Sequence, residues 1–327
     1  MKRRSILSIA GGATLGAALP VLAQTPPKVW RIGLLSQSIP RSFFEGTLIK
    51  DLAEAGYVEG RNLVIEFRFA QDDASRLNAL AAELVAAKVD LLLAPLPPEI
   101  AAAKRATSTI PIVMMFGLAP VETGLIASLA RPGGNVIGTT SSSAELGGKA
   151  MELFNKILPR GARVTLLFTD PDAPSSPFYQ QQLERAASAL GLRLTVLPIR
   201  TVVDLDSAFK VMERERPDGM LVRATGVAIG NSVFKIIDFA AKHHIPAHYG
   251  NQLNVRMGGL MSYSVDFVRM RRRLISIIDR VVKGANPAEL PVEEPTNFWL
   301  VINLKTAKTL GLTIPQSLLL LADEVIE

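Results

Sequence analysis

The three histidines of the 327-residue chain, His243, His244 and His248, crowd into one short stretch, AKHHIPAHYG. Three imidazoles this close invite a metal reading, because zinc takes His nitrogens in a tetrahedral set. The spacing argues against it. Pro246 breaks helical register between them, and His244 and His248 flank a strand whose side chains alternate. A helix C-terminus suits His243 and His244, where the helix dipole favours positive charge, and His248 is expected on a rim. The same crowding leaves no histidine for a Ser/His/Asp triad elsewhere, and no G-x-S-x-G elbow occurs. With no cysteine there is no thiolate nucleophile or Cys-based metal site. Carboxylates could still serve as acid and base, but nothing in the sequence pairs any two of them. No catalytic residue, metal ligand or cofactor is expected.

The second constellation is RPGGNVIGTTSSSAEL, residues 131–146. Gly133, Gly134 and Gly138 have neither dinucleotide nor P-loop spacing, and no Lys-Ser/Thr pair follows. They precede a short apolar run rather than opening a helix, so a turn followed by a strand is the reading. The hydroxyl run Thr139, Thr140, Ser141, Ser142, Ser143 then fits a strand-to-helix turn, with Ser143 or a neighbour capping the helix that follows. Further on, Arg269, Arg271, Arg272 and Arg273 lie on a helix whose apolar face is Val268, Leu274, Ile275 and Ile278. That run reads as a solvated basic face, or as a docking surface for an acidic partner.

The elements that must position these residues alternate. RIGLL (31–35) reads as a strand, and Phe44, Leu48, Leu52 and Ala55 mark a helix stopped by Gly56. Leu63, Ile65, Phe67 and Phe69 alternate as a second strand. Asp73 can cap a helix through Leu77, Leu80, Leu84 and Ala87, and VDLLLAP closes a βαβαβ unit. Such a unit implies a parallel sheet covered by helices on both faces.

The order recurs after an offset near 130 residues. RVTLLF (163–168) matches RIGLL, LERAASALG matches LIKDLAEAG, PDGMLV matches KVDLLL, and HIPAHYG matches TIPIVMMFG. Two similar α/β lobes follow. GNVIGTT falls between the copies, MGGLMSYSVD follows the second, and LPVEEPTNFWLVIN offers a third crossing. The expected division is 28–138 with 258–288 in one lobe, and 139–257 with 289–327 in the other.

In open parallel sheets ligands bind beyond the carboxyl ends of the strands. Those ends carry Ser36 and Gln37, Leu96 and Pro97, Phe116 and Gly117, Thr140 and Ser141, Asp170, Thr225, and Tyr249 with Asn251 and Gln252. Asp266 joins them on the returning chain, as ligand contact or helix cap. The set is mostly neutral polar and apolar.

The first 23 residues begin with Lys2, Arg3 and Arg4, continue through a short apolar run and end Val21-Leu22-Ala23, the pattern of an export signal cleaved before Gln24. The Arg pair leaves both the general and the twin-arginine routes open. Cleavage would remove three positive charges and no negative one, lowering the net +6 to about +3, too mild for a nucleic-acid binder. A soluble, exported, monomeric protein is expected, in the periplasm.

RIGLLS, LAEAGYVEGRNLVIEFRFA, ETGLIASLARPGGNVIG, GGLMSY, LPVEEPTNF and LVINLKTAKTLGLTIPQSLLLLADEVIE together resemble the ABC-importer substrate-binding family that includes tryptophan- and tyrosine-binding members. The resemblance implies an α/β protein of two Rossmann-like lobes with parallel sheets, a type I periplasmic-binding architecture with three interlobe crossings. It also implies a small-molecule ligand enclosed by hinge closure and an inner-membrane ABC permease as partner. A sensory domain, or less readily an enzyme, could use the same scaffold. The chain departs from the family at Leu118-Ala119-Pro120-Val121, at Pro95-Leu96-Pro97 and at Asn251-Gln252-Leu253-Asn254, where polar or charged groups are usual. Burying an ammonium or carboxylate without a partner costs several kcal/mol. A neutral or monoanionic ligand with an apolar or aromatic body is therefore expected, held against Leu96, Phe116 and Tyr249, with its polar end at Ser36, Thr140 and Gln252.

Overall fold

The computed structural model describes residues 28–141, 146–169, 171–172, 175–223 and 232–327. The export-signal expectation, the Ser143 cap, Asp170 and Thr225 lie outside the described residues. Among the described residues, no helix is long and apolar enough to cross a membrane.

The first lobe is built on a five-stranded sheet. Its strands are β1 (Trp30–Ser36), β2 (Leu63–Phe69), β3 (Leu91–Ala94), β4 (Ile112–Gly117) and β5 (Val136–Thr140), in the order β2-β1-β3-β4-β5. All neighbours are parallel, with Trp30 opposite Leu63 and Leu92 opposite Ile112. The helices between them are α1 (Arg41–Phe44), continued through a π turn (Glu45–Ile49) into α2 (Lys50–Glu54), then α3 (Leu77–Ala86) and α4 (Pro97–Ala106). The near-continuous Leu91–Ala94 run is wholly buried, as a central parallel strand covered on both faces must be.

The second lobe contains α5 (Leu146–Asn155), β6 (Arg163–Thr169), α6 (Ser176–Ala189), β7 (Arg193–Ile199), α7 (Val202–Glu215) and β8 (Gly219–Arg223). It continues with α8 (Val233–Lys242), β9 (Ala247–Tyr249), α9 (Gln252–Arg256) and β10 (Met261–Val265). The chain then forms α10 (Phe267–Val282), β11 (Phe298–Asn303), α11 (Leu304–Thr309), α12 (Gln316–Leu319) and β12 (Glu324–Ile326). The seven strands run β12-β11-β10-β9-β8-β6-β7. Five of them, β7-β6-β8-β9-β10, repeat the order of the first sheet strand for strand. The sheet is not wholly parallel: β11 pairs antiparallel with β10, and β12 parallel with β11.

This repeat corrects the expected division. β10 is the counterpart of β5 and sits in the second sheet beside β9, so the chain leaves that lobe at Asp266 and not at Gly258. The first crossing likewise follows Thr140 rather than Gly138, because Thr140 pairs with Gly117. The third comes after Glu293, since Leu290 and Val292 are buried in the first lobe's core. What crosses at the first two places is a helix. The helix after β5, α5, packs on β10, and the helix after β10, α10, packs on β5. Leu274, Ile275, Ile277 and Ile278 of α10 thus complete the core around Ile32, Leu92 and Ile137, while Met151, Leu153 and Phe154 of α5 complete that around Leu166, Leu221 and Leu300.

The crossings are bonded to one another. Thr140 N–H donates to the Glu293 carbonyl at 3.0 Å, Glu293 N–H donates to the Gly138 carbonyl at 3.0 Å, and Asp266 N–H donates to the Asn297 carbonyl at 3.2 Å. The third crossing is laced to both others. Gly138 is indispensable here: its φ is +141°, and a Cβ would lie 2.1 Å from the Met114 carbonyl oxygen.

Candidate functional site

The carboxyl ends of both sheets carry the candidate residues, and the structure gives each a definite role. On the first lobe, the buried Ser36 hydroxyl donates to the Ile39 carbonyl at 2.7 Å and accepts the Ile39 N–H at 3.0 Å, a local turn. The Gln37 N–H donates to the Glu99 carboxylate at 2.8 Å. Glu99, in the first turn of α4, is fully buried, and it ties the loop after β1 to that helix. Leu96 is the half-buried residue preceding α4, and Pro97 is its buried first residue. Phe116 packs edge-on against Phe267 of α10, ring centroids 5.6 Å apart.

The hydroxyl run serves the crossing. Thr139 donates to the Met115 carbonyl, Thr140 donates to the Gly117 carbonyl at 2.6 Å, and Ser141 N–H reaches the same carbonyl at 3.0 Å. Asp266, 4% exposed, caps α10. Its carboxylate accepts the Val268 and Arg269 N–H groups at 3.0 Å and pairs with the Arg269 guanidinium at 3.3 Å. That carboxylate is committed to the helix, which replaces the ligand-contact reading with the capping one. Asn251 caps α9 through the Leu253 N–H at 2.8 Å, leaving half-buried Gln252 in that helix's first turn.

Two expectations on β9 exchange places. Tyr249 is not on the cleft wall: its ring is buried in the apolar layer with Met220, Val222, Ile236 and Phe239, and burial pushes its phenol well up. His248, expected on a rim, is buried on the opposite face of the sheet, its ring 6.0 Å from that of Phe154. Alternation along the strand sets this: Leu221 pairs with His248 and Val222 with Tyr249. The His248 Nε2 accepts the Tyr263 N–H at 2.9 Å, and burial pushes its pKa down to about 4.

The residue that the sequence reading passed over is Arg223, the last of β8 and 8% exposed. Its guanidinium lies 3.9 Å from the Tyr179 ring centre and 5.0 Å from that of Phe168, two rings stacked on one another at 6.3 Å. The Thr169 hydroxyl donates to the Arg223 carbonyl at 2.6 Å, holding the ends of β6 and β8 together. An apolar run, Gly219–Val222, closing on an Arg was the available signal. Beside it a gap of about 80 Å³ lies between α5, α6 and the sheet, bordered by Gly147, Ala150, Tyr179, Arg223, His248 and Tyr263. The second lobe therefore offers a cation in an aromatic cage, next to a small and largely apolar recess.

Two α/β lobes joined by three laced crossings, with polar groups gathered at the carboxyl edges, define a type I periplasmic-binding fold. Residues 42–326 match the family model "ABC transporter substrate binding protein", and the chain belongs to that family. A curated relative is a tyrosine-binding protein of Clostridioides difficile, 27% identical over 264 residues, spanning 81% of this chain and 75% of that one. A similar solved structure is an ABC domain in complex with L-Trp from Streptococcus pneumonia, at 26% identity and a TM-score of 0.82, covering 91% of this chain and all of that one. A 5-methylthioribose-bound solute binding protein from Thermotoga lettingae shares the fold at 16% identity and a TM-score of 0.61, covering 91% and 98%.

Proposed function

We propose that the chain is an exported, monomeric solute receptor of an ABC importer. It captures a small molecule between the lobes by hinge closure and delivers it to an inner-membrane permease. The observation that carries this reading is the laced triple crossing: it permits rotation of two intact lobes about one line while their carboxyl edges approach. Ligand contacts on both edges would favour the closed state by their differential affinity. Family membership supports the transport role, and the charged, apolar, Val-Leu-Ala start supports export with cleavage before Gln24.

The ligand in this reading carries a carboxylate or other single negative charge, met by Arg223, and an apolar or aromatic body. The relatives with tyrosine and L-Trp support an amino-acid-sized molecule. A thermal-shift screen of amino acids, organic acids, purines and sugars tests it. A ligand at 100 times its dissociation constant adds roughly 2.7 kcal/mol, several degrees for a protein of this size. Scattering at saturation should then show a smaller radius of gyration. An unchanged radius argues against closure, and Met1 retained in a membrane fraction argues against cleavage and release.

A further inference from the structure

We infer that the gap beneath α5 in the second lobe is a subsite for the apolar end of the ligand, and that it takes a short branched aliphatic group rather than an aromatic ring. The inference rests on the solute-receptor reading and narrows it. The gap is roofed by Gly147 and Ala150, floored by Leu166 and Leu221, and has Arg223 and Tyr263 on its border. Its volume is about 80 Å³. A dry cavity of about 150 Å³ holds benzene, so this one has roughly half the room a six-membered ring needs.

Enlarging it means lifting α5, and α5 is held. Gly147 approaches α6 so closely that a Cβ there would lie 3.2 Å from the Leu183 Cδ2. Met151 and Phe154, further along the same helix, are almost wholly buried in the core. The Arg223 guanidinium lies over the Tyr179 ring, 3.9 Å from its centre, and a guanidinium carries its N–H donors in its own plane, where a carboxylate is met edge-on. A carboxylate held there leaves its alkyl chain beside the gap. Each methylene buried strengthens binding roughly fourfold.

The test is calorimetric titration of the mature protein with head-matched pairs: L-leucine against L-tryptophan, and 4-methylpentanoate against 3-phenylpropanoate. For whichever head group binds, the aliphatic member should bind at least tenfold more tightly. Ala150→Leu, which fills the gap, should weaken it at least tenfold while leaving the ligand-free melting temperature unchanged or higher. Ala150→Val serves in the same way if the larger side chain blocks folding. A tighter aromatic member, or aliphatic binding untouched by both variants, would show a packing void only. A bound sugar or purine with no carboxylate bound overturns this inference and leaves the receptor reading standing; no ligand in the broad screen overturns both.

Discussion

The imidazole of His248 accepts the main-chain N–H of Tyr263 at 2.9 Å, so a side chain takes over where a strand has ended. β9 is three residues long and meets β10 only at the Met261–His248 pair. Past that point the ring supplies the acceptor that the next backbone carbonyl would have supplied. Only an unprotonated Nε2 can accept, and burial keeps it so.

Stability should therefore fall as acid is added. The folded-state pKa of His248, about 4, lies below the ordinary 6.5, so the unfolded chain binds the proton first. The contribution is complete above pH 6.5 and is lost as pH falls towards 4, up to about 3 kcal/mol. Urea unfolding of wild type and His248→Gln across that range measures it. The difference between the two curves should slope between those values and be flat above them.

Gly138→Ala should destabilise the protein by at least about 2 kcal/mol, because the new Cβ meets the Met114 backbone and not a side chain that can swing away. Gly134→Ala, with open space around its Cβ position, is the control and should cost well under half as much. Thermal melts of the two variants decide it.

Asp266→Ala removes the cap of the exchanged helix and should cost about 1–2 kcal/mol, with Asp266→Asn recovering most of it. Because the carboxylate is committed to α10, ligand affinity per folded molecule should change less than threefold in the Asn variant. A larger loss of affinity at full folding would return Asp266 to the ligand site.

Arg223→Gln should weaken a carboxylate ligand at least tenfold, and Gln252→Ala less, since Gln252 sits half-exposed in the first turn of a short helix. Calorimetry on both variants ranks them. The reverse order would move the anion contact from the second lobe's β8 edge to α9.

The lobes were legible in the sequence because a duplicated βα order leaves matching apolar runs, and RVTLLF beside RIGLL needs no structure to be seen. Their borders were not, because β10 has the composition of any buried strand and only its pairing with β9 says which sheet it joins. Phase on a three-residue strand is similarly hidden. Nothing in Ala247–Tyr249 says which face is which, so His248 and Tyr249 were transposed. Arg223 was passed over because a charge after an apolar run reads as solvated, whereas Phe168 and Tyr179, distant in sequence, make burial tolerable. Of the hydroxyl run, Thr139 and Thr140 spend their donors on β4 carbonyls, a pairing that composition alone does not reveal.

The exchange of α5 and α10 also fixes a timetable for the newborn chain. The strands of the first sheet are made by Thr140, yet the helix that covers β5 begins at Phe267 and the last segment of that core reaches Val292. An emerging chain must hold an unfinished apolar face through the whole synthesis of β6 to β10. Neither half can close as an independent unit, and native contacts span more than a hundred residues, which slows folding and prolongs exposure to aggregation.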